Sequence, residues 1–273
     1  MKKEFIDFYI LIRRKKLAKL ILIETMVISL VSILLFFKQD PTTYGSIVSL
    51  NYLYNPHATV LNYVITISAP LIACVCNSDI NEAEGGLKEQ LIVRTGLKRY
   101  YVSKHITVFI AGMLNTLYVL ELLYIFQMIA IDTSTSFYIG SGAYINYLYA
   151  DIDRVLFQQY LLKYPILFSH CLFTVISVFA GVCACLSYTI SQIITVTGIA
   201  YLSGFLVPFF ISTILTFISY KTQMFAYYNL FQIVTDTSRT SEIMNVIGIV
   251  VWIIVIVTIA FVLQIYKINK KES

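Results

Sequence analysis

The chain has 273 residues and a mass of 31.1 kDa, with 58% hydrophobic and only 13% charged residues, a mean hydropathy of +0.78 and a formal net charge of +5. Soluble domains carry about 25% charge and 45–50% apolar residues, so this composition excludes a soluble enzyme. Its apolar residues lie in runs of bilayer-spanning length, about 20 residues each, and repeats, low-complexity tracts and a nucleic-acid-type charge footprint are absent.

The sequence therefore reads as an all-α membrane protein, one transmembrane domain over 1–273. At the N-terminus, Lys3, Asp7 and Arg14 fall near one helical face while Phe5, Phe8, Tyr9 and Ile12 supply apolar surface. That pattern suits a helix lying in the headgroup region; the plainer alternative is a basic flank of the first span. Span one, about 17–37, is not a signal peptide, because its flank is long and basic and no small-residue cleavage site closes it. Glu24 lies two turns into this span, within reach of surface water or the basic flank. Span two, about 59–78, contains Pro70, a kink or a hinge.

After a polar segment comes span three, about 105–131, with Asn115 and Glu121 inside it. A long loop over 133–164 follows, in which Tyr144 to Tyr160 can form an amphipathic surface helix. Span four, about 165–187, leads through the uncharged turn Tyr188-Thr189-Ile190-Ser191 into span five, about 192–219, which carries Pro208. A polar-aromatic segment, Gln223 to Phe231, precedes span six, about 243–266.

Six spans put both chain ends on one side, and the cations choose that side. Lys2, Lys3, Arg13, Arg14, Lys15, Lys16, Lys19, Lys88, Arg94, Lys98, Arg99, Lys104, Lys267, Lys270 and Lys271 share it, leaving only Lys38, Arg154, Lys163, Lys221 and Arg239 opposite. Cytoplasmic loops carry the excess of Lys and Arg, so both ends are expected inside. The positive charge is then a topology signal and an attraction to anionic inner-leaflet lipid.

The polar segment between spans two and three is the most informative. Glu82 and Glu84 place carboxylates where a helix begins, favoured by its dipole. Leu87 and Leu91 stack at i, i+4 as a short apolar stripe. Thr95-Gly96 ends the helix, since glycine readily takes the left-handed cap. Lys98, Arg99 and Lys104 mark re-entry into the membrane. A short helix over 82–95, held at the inner surface, suits docking of a soluble partner; a solvated amphipathic loop is the alternative.

This pattern resembles the permease subunits of ABC-2-type (type V) ABC transporters, whose glutamate-glycine segment forms a coupling helix seated in a cleft of the ATP-binding subunit. Six spans, both ends inside, the basic N-terminal helix and the polar-aromatic segment before the last span extend the resemblance over nearly the whole chain. By that resemblance Glu82, Glu84, Gly85, Leu87, Leu91 and Arg94 would contact an ABC ATP-binding subunit. Two permease chains, identical or different, would pair with two such subunits in the plasma membrane of a bacterium. ATP and Mg would bind the partner, and no cofactor this chain. The long 133–164 loop departs from the family's usual tight turn. Export of an amphipathic peptide or lipid-like substrate, such as a bacteriocin or toxin, or self-immunity to one, would follow. A different class of function, a non-transporting membrane immunity or sensor protein that binds a peptide, is also open.

Catalytic patterns are missing. No G-x-x-x-x-G-K-[ST] phosphate loop occurs, and no H-E-x-x-H helix; His57, His105 and His170 are isolated in sequence. Cys74 and Cys76, like Cys183 and Cys185, are two apart on a helix and point to different faces, which favours packing over a four-Cys site. Glu121 lies about 15 Å from the outer end of its span at 1.5 Å per residue. A carboxylate at such depth costs about 2.5–3.5 kcal/mol on insertion scales and needs a polar environment. A substrate path shared with Asn115, a partner subunit, or a structural hydrogen bond would each supply one, with His170 a candidate partner at similar depth.

The orientation has a direct check. In a chain freed of its own cysteines, a cysteine placed at Ser46 or Ser141 is expected to react with an impermeant maleimide on intact cells. One placed at Ser273 is expected not to react, and its labelling would overturn the even span count.

Overall fold

The computed structural model describes residues 87–130, 165–194 and 242–272, with single positions between 19 and 30 and between 199 and 214. Among the described residues every regular element is helical: α1 (Leu87–Thr95), α2 (Leu97–Ala130), α3 (Pro165–Ser191) and α4 (Glu242–Glu272). The stretches Leu97–Leu122 of α2 and Phe173–Ser191 of α3 are long and apolar enough to cross a membrane, and Ile253–Tyr266 of α4 is a shorter apolar helix. Span two, most of span one, the N-terminal segment 3–16, the 133–164 loop, Glu24, Pro70, Pro208 and the Gln223–Phe231 segment lie outside the described residues.

Three boundaries differ from the sequence reading, each for a local reason. The chain between Leu97 and His105 is the start of α2 itself, so Lys98, Arg99 and Lys104 sit in its first turns. No glycine or proline interrupts the backbone ladder there, and Tyr100 and Tyr101 are buried. The predicted turn at Tyr188–Ser191 is helical, the last turn of α3. Tyr188, Thr189 and Ile190 are buried, and the Thr189 hydroxyl lies 2.9 Å from the Cys185 carbonyl. The helix unwinds one residue later, where the Gln192 N–H donates to the Thr189 carbonyl and the Ser191 hydroxyl to the Tyr188 carbonyl. Finally, α4 runs past its apolar stretch to Glu272, carrying Lys267, Lys270 and Lys271 to its negative dipole end.

α3 is the central helix. It packs along α2 on one side and against α4 on the other. Contacts of His105 with Thr189 at one end and of Glu121 with His170 at the other show that α2 and α3 run antiparallel. Their closest approach is set by glycine. A Cβ on Gly112 would lie 2.9 Å from the Ala184 Cβ and 3.3 Å from the Gly181 Cα, and one on Gly181 would lie 2.8 Å from the Phe109 carbonyl oxygen. The opposite side of α3 offers Val182, Cys183, Leu186 and Ile190 to Ile256 and Ala260 of α4. Gly204 comes so close that an added Cβ would overlap the Ser187 hydroxyl and the Cys183 carbonyl, and its N–H donates to Ser187 Oγ at 2.7 Å.

Gly181→Ala pushes a methyl against both the Phe109 carbonyl oxygen and the Phe109 ring, so a cost of about 1–3 kcal/mol is expected, as for other overpacked sites. A lowered midpoint of heat-induced loss of the monodisperse species, read by fluorescence-detected size exclusion, checks it.

Candidate functional site

The first component is the elbow between α1 and α2. Gly96 has φ 80, in the left-handed region, where a side chain is strained and glycine is not. Its N–H donates to the Ile92 carbonyl at 2.8 Å, closing α1, and its own carbonyl accepts from Tyr100 N–H at 3.0 Å, opening α2. One residue thus caps both helices: the Thr95-Gly96 signal predicts the end of α1, while the immediate start of α2 is seen only in the structure. Arg94 lies in the last turn of α1 and is exposed, together with Gln90, Val93, Lys98 and Arg99. Val93 is 85% exposed, an apolar side chain among cations on the surface of the elbow. Leu87 and Leu91 belong to α1; Glu82, Glu84 and Gly85 lie outside the described residues.

The second component lies toward the far end of α2. Nδ1 of His170 on α3 sits 2.8 Å from Oε1 of Glu121, an N–H donating to a carboxyl oxygen. Of the environments open to Glu121 in the sequence, the hydrogen bond to His170 is the one this geometry displays. The His170 ring meets Tyr124 edge-on at 5.2 Å, and Tyr124 meets Phe173 at 5.9 Å, spacings at which aromatic edges and faces attract. The pair is half-buried, Glu121 33% and His170 41% exposed. The Tyr124 hydroxyl is buried with no hydrogen-bond partner among the described residues. Asn115, read with Glu121 as part of one path, is buried instead at 7% exposure, and next to it the Thr116 hydroxyl donates to the Gly112 carbonyl.

The third component has no counterpart in the sequence reading. At the α1 end of the pair, Nδ1–H of His105 donates to the Tyr101 carbonyl at 2.8 Å, and Nε2 lies 2.8 Å from the Thr189 hydroxyl on α3. Cys185, one turn before Thr189, donates its S–H to the His105 carbonyl at 3.3 Å. The Tyr188 ring stands edge-on to the imidazole at 5.1 Å. The only available signal was a histidine and a threonine at matching ends of adjacent helices, which means nothing until the register is known.

Cys183 and Cys185 face opposite ways, Cys183 into the α4 contact and Cys185 toward α2. Among the described residues no group of three or more His, Cys, Asp and Glu could hold a metal ion. Comparison with protein-family models, with curated proteins and with solved structures found no match.

Replacing either Glu121 or His170 by Leu is expected to cost about 0.6–2 kcal/mol, the range of interhelical hydrogen bonds in membranes. The double replacement is expected to cost less than the sum of the two, because one bond is lost only once. Glu121→Gln keeps an acceptor oxygen for the His170 N–H and is expected to be nearly silent. Thermal melts of the four chains in detergent check the cycle.

Proposed function

We propose that this chain is the membrane permease subunit of an ATP-driven ABC transporter of the ABC-2 type, exporting an amphipathic peptide or a lipid-like substrate. In this reading it crosses the cell membrane six times with both ends inside, forms a dimer with a second permease chain, and takes its ATP hydrolysis from a separate subunit that holds ATP and Mg. The observation that carries the reading is the elbow. A short helix with an exposed Val93 and Arg94 is joined through left-handed Gly96 to a helix long enough to cross a membrane. A soluble partner gripping α1 has its hold carried directly into α2. Glu82, Glu84, Gly85, Leu87, Leu91 and Arg94 are the proposed contacts. Glu121, held by His170 with exposed surface remaining, is the proposed polar element of the substrate path, and buried Asn115 supports that wall from within the helix contact.

Glu84→Lys combined with Leu87→Asp reverses a charge and removes the apolar stripe at one contact. Co-purification of a co-expressed ABC ATP-binding subunit is expected to fall to background while membrane insertion persists. Undiminished co-purification would sink the assignment. A wild-type chain that recruits no such subunit would favour the non-transporting immunity or sensor protein.

A further inference from the structure

We propose that His105 is a positioning residue through which displacement of the α1 elbow is delivered to the adjacent end of α3. The inference rests on the permease reading for its biological use, while the link itself is a property of the chain alone.

The elbow is stiff. Gly96 accepts and donates one backbone bond on each side, so α1 has no free residue between itself and α2. Buried Tyr100 and Tyr101 occupy the first turns of α2. His105 follows about 13 Å along the helix from Gly96, at 1.5 Å per residue. Its imidazole is fixed at both nitrogens, one to its own helix at Tyr101 and one to Thr189 across the interface. A ring nitrogen facing a carbonyl must carry the proton, so in the neutral ring Nε2 is an acceptor, and it shares the single proton of the Thr189 hydroxyl with the Cys185 carbonyl 2.9 Å away. The Cys185 thiol returns a bond to the His105 backbone. Each helix therefore grips the other at one level, with Tyr188 closing the side.

The next fixed point lies about 10 Å further along α2, where Gly112 and Gly181 bring the backbones into contact. The two points differ in kind. At the glycines the helices meet by steric contact, which tolerates rotation but not approach. At His105 they meet by directional bonds, which transmit a pull. A displacement of α1 is thus levered about Gly112–Gly181 and arrives at the end of α3 through Thr189. From there it reaches α4 through Leu186 and Ile190, and the Gly204 backbone through Ser187. In a low-dielectric interface, parting this clamp strands polar groups with no water to replace the bond, so α3 follows rather than releases.

The test uses the full chain in phospholipid nanodiscs, with genetically encoded spin labels at exposed Val93 and Ile193 so that Cys185 is retained. Wild type and Thr189→Ser, which keeps the hydroxyl, are expected to give one narrow distance distribution. His105→Phe, which keeps a ring against Tyr188, and Thr189→Val, which keeps the shape, are each expected to about double its width, and the double variant to widen it no further. Wild-type distributions in both single variants would overturn the link. A second arm adds the ATP-binding subunit and traps it with ATP and vanadate. The label at 93 is expected to shift in wild type and in Thr189→Val alike, and the label at 193 only in wild type and Thr189→Ser. A merely structural role would blunt both labels together, and a full response at 193 in Thr189→Val overturns the proposal. A wild-type chain that binds no ATP-binding subunit overturns the permease reading instead and leaves the first arm to decide the link.

Discussion

Everything described in this protein depends on how closely α2 and α3 approach at Gly112 and Gly181. Two helices this apolar gain little from choosing each other over lipid, because lipid tails are as apolar as leucine. What distinguishes one register is steric fit, and here the fit is backbone against backbone, with Ala184 Cβ and the Phe109 carbonyl filling the remaining space. The polar pairs on either side follow from it. Glu121 stands nine residues from Gly112 in one direction and His105 seven in the other, and each finds its partner on α3 at 2.8 Å. A slip of one turn, about 5.4 Å, would part both pairs at once. Steric contact and hydrogen bonds therefore specify the same alignment, which makes the pair a single mechanical unit.

α3 has almost no free side near the α1 end. Cys183 and Cys185, two residues apart, serve opposite neighbours, and Ser187 takes a backbone N–H from Gly204 while Tyr188 leans on His105. Small side chains make this possible, because Gly181, Ala184, Cys185 and Ser187 let three helices come near one axis. The far end is looser, with Glu121 and His170 half-buried and Cys171 exposed. A helix packed tightly at one end and more open at the other suits a role in which input arrives at the tight end and substrate is met toward the open one.

The elbow at Gly96 gives that arrangement its direction. Because α1 and α2 share one capping residue, force on the short helix has no flexible linker in which to dissipate. α2 then runs unbroken from that elbow past His105 and Gly112 to Glu121, about 36 Å at 1.5 Å per residue. One helix joins the proposed docking surface to the proposed substrate wall. Coupling over such a distance needs an element with two arrangements, and the proposed link assigns that part to the His105–Thr189 clamp, the polar pair on the elbow side of the glycine contact.

The amino-acid sequence determined the helices themselves, the break at Thr95-Gly96, and the presence of polar groups at depth, because chain-local physics decides each. Apolar runs of sufficient length become helices so that their backbone groups are satisfied, and glycine after a short helix is a left-handed cap. His170 was legible as a partner for Glu121 because depth along a span can be counted in residues. The tertiary structure alone decided which faces meet. Helices apolar all round carry no amphipathic stripe to point inward, so the importance of Gly112, Gly181 and Gly204 and the link from His105 to Thr189 emerged only with the register. The helical state of Tyr188–Ser191 belongs to the same class. An uncharged stretch without glycine or proline has no preference of its own between turn and helix, and burial of Tyr188, Thr189 and Ile190 against neighbouring helices settled it.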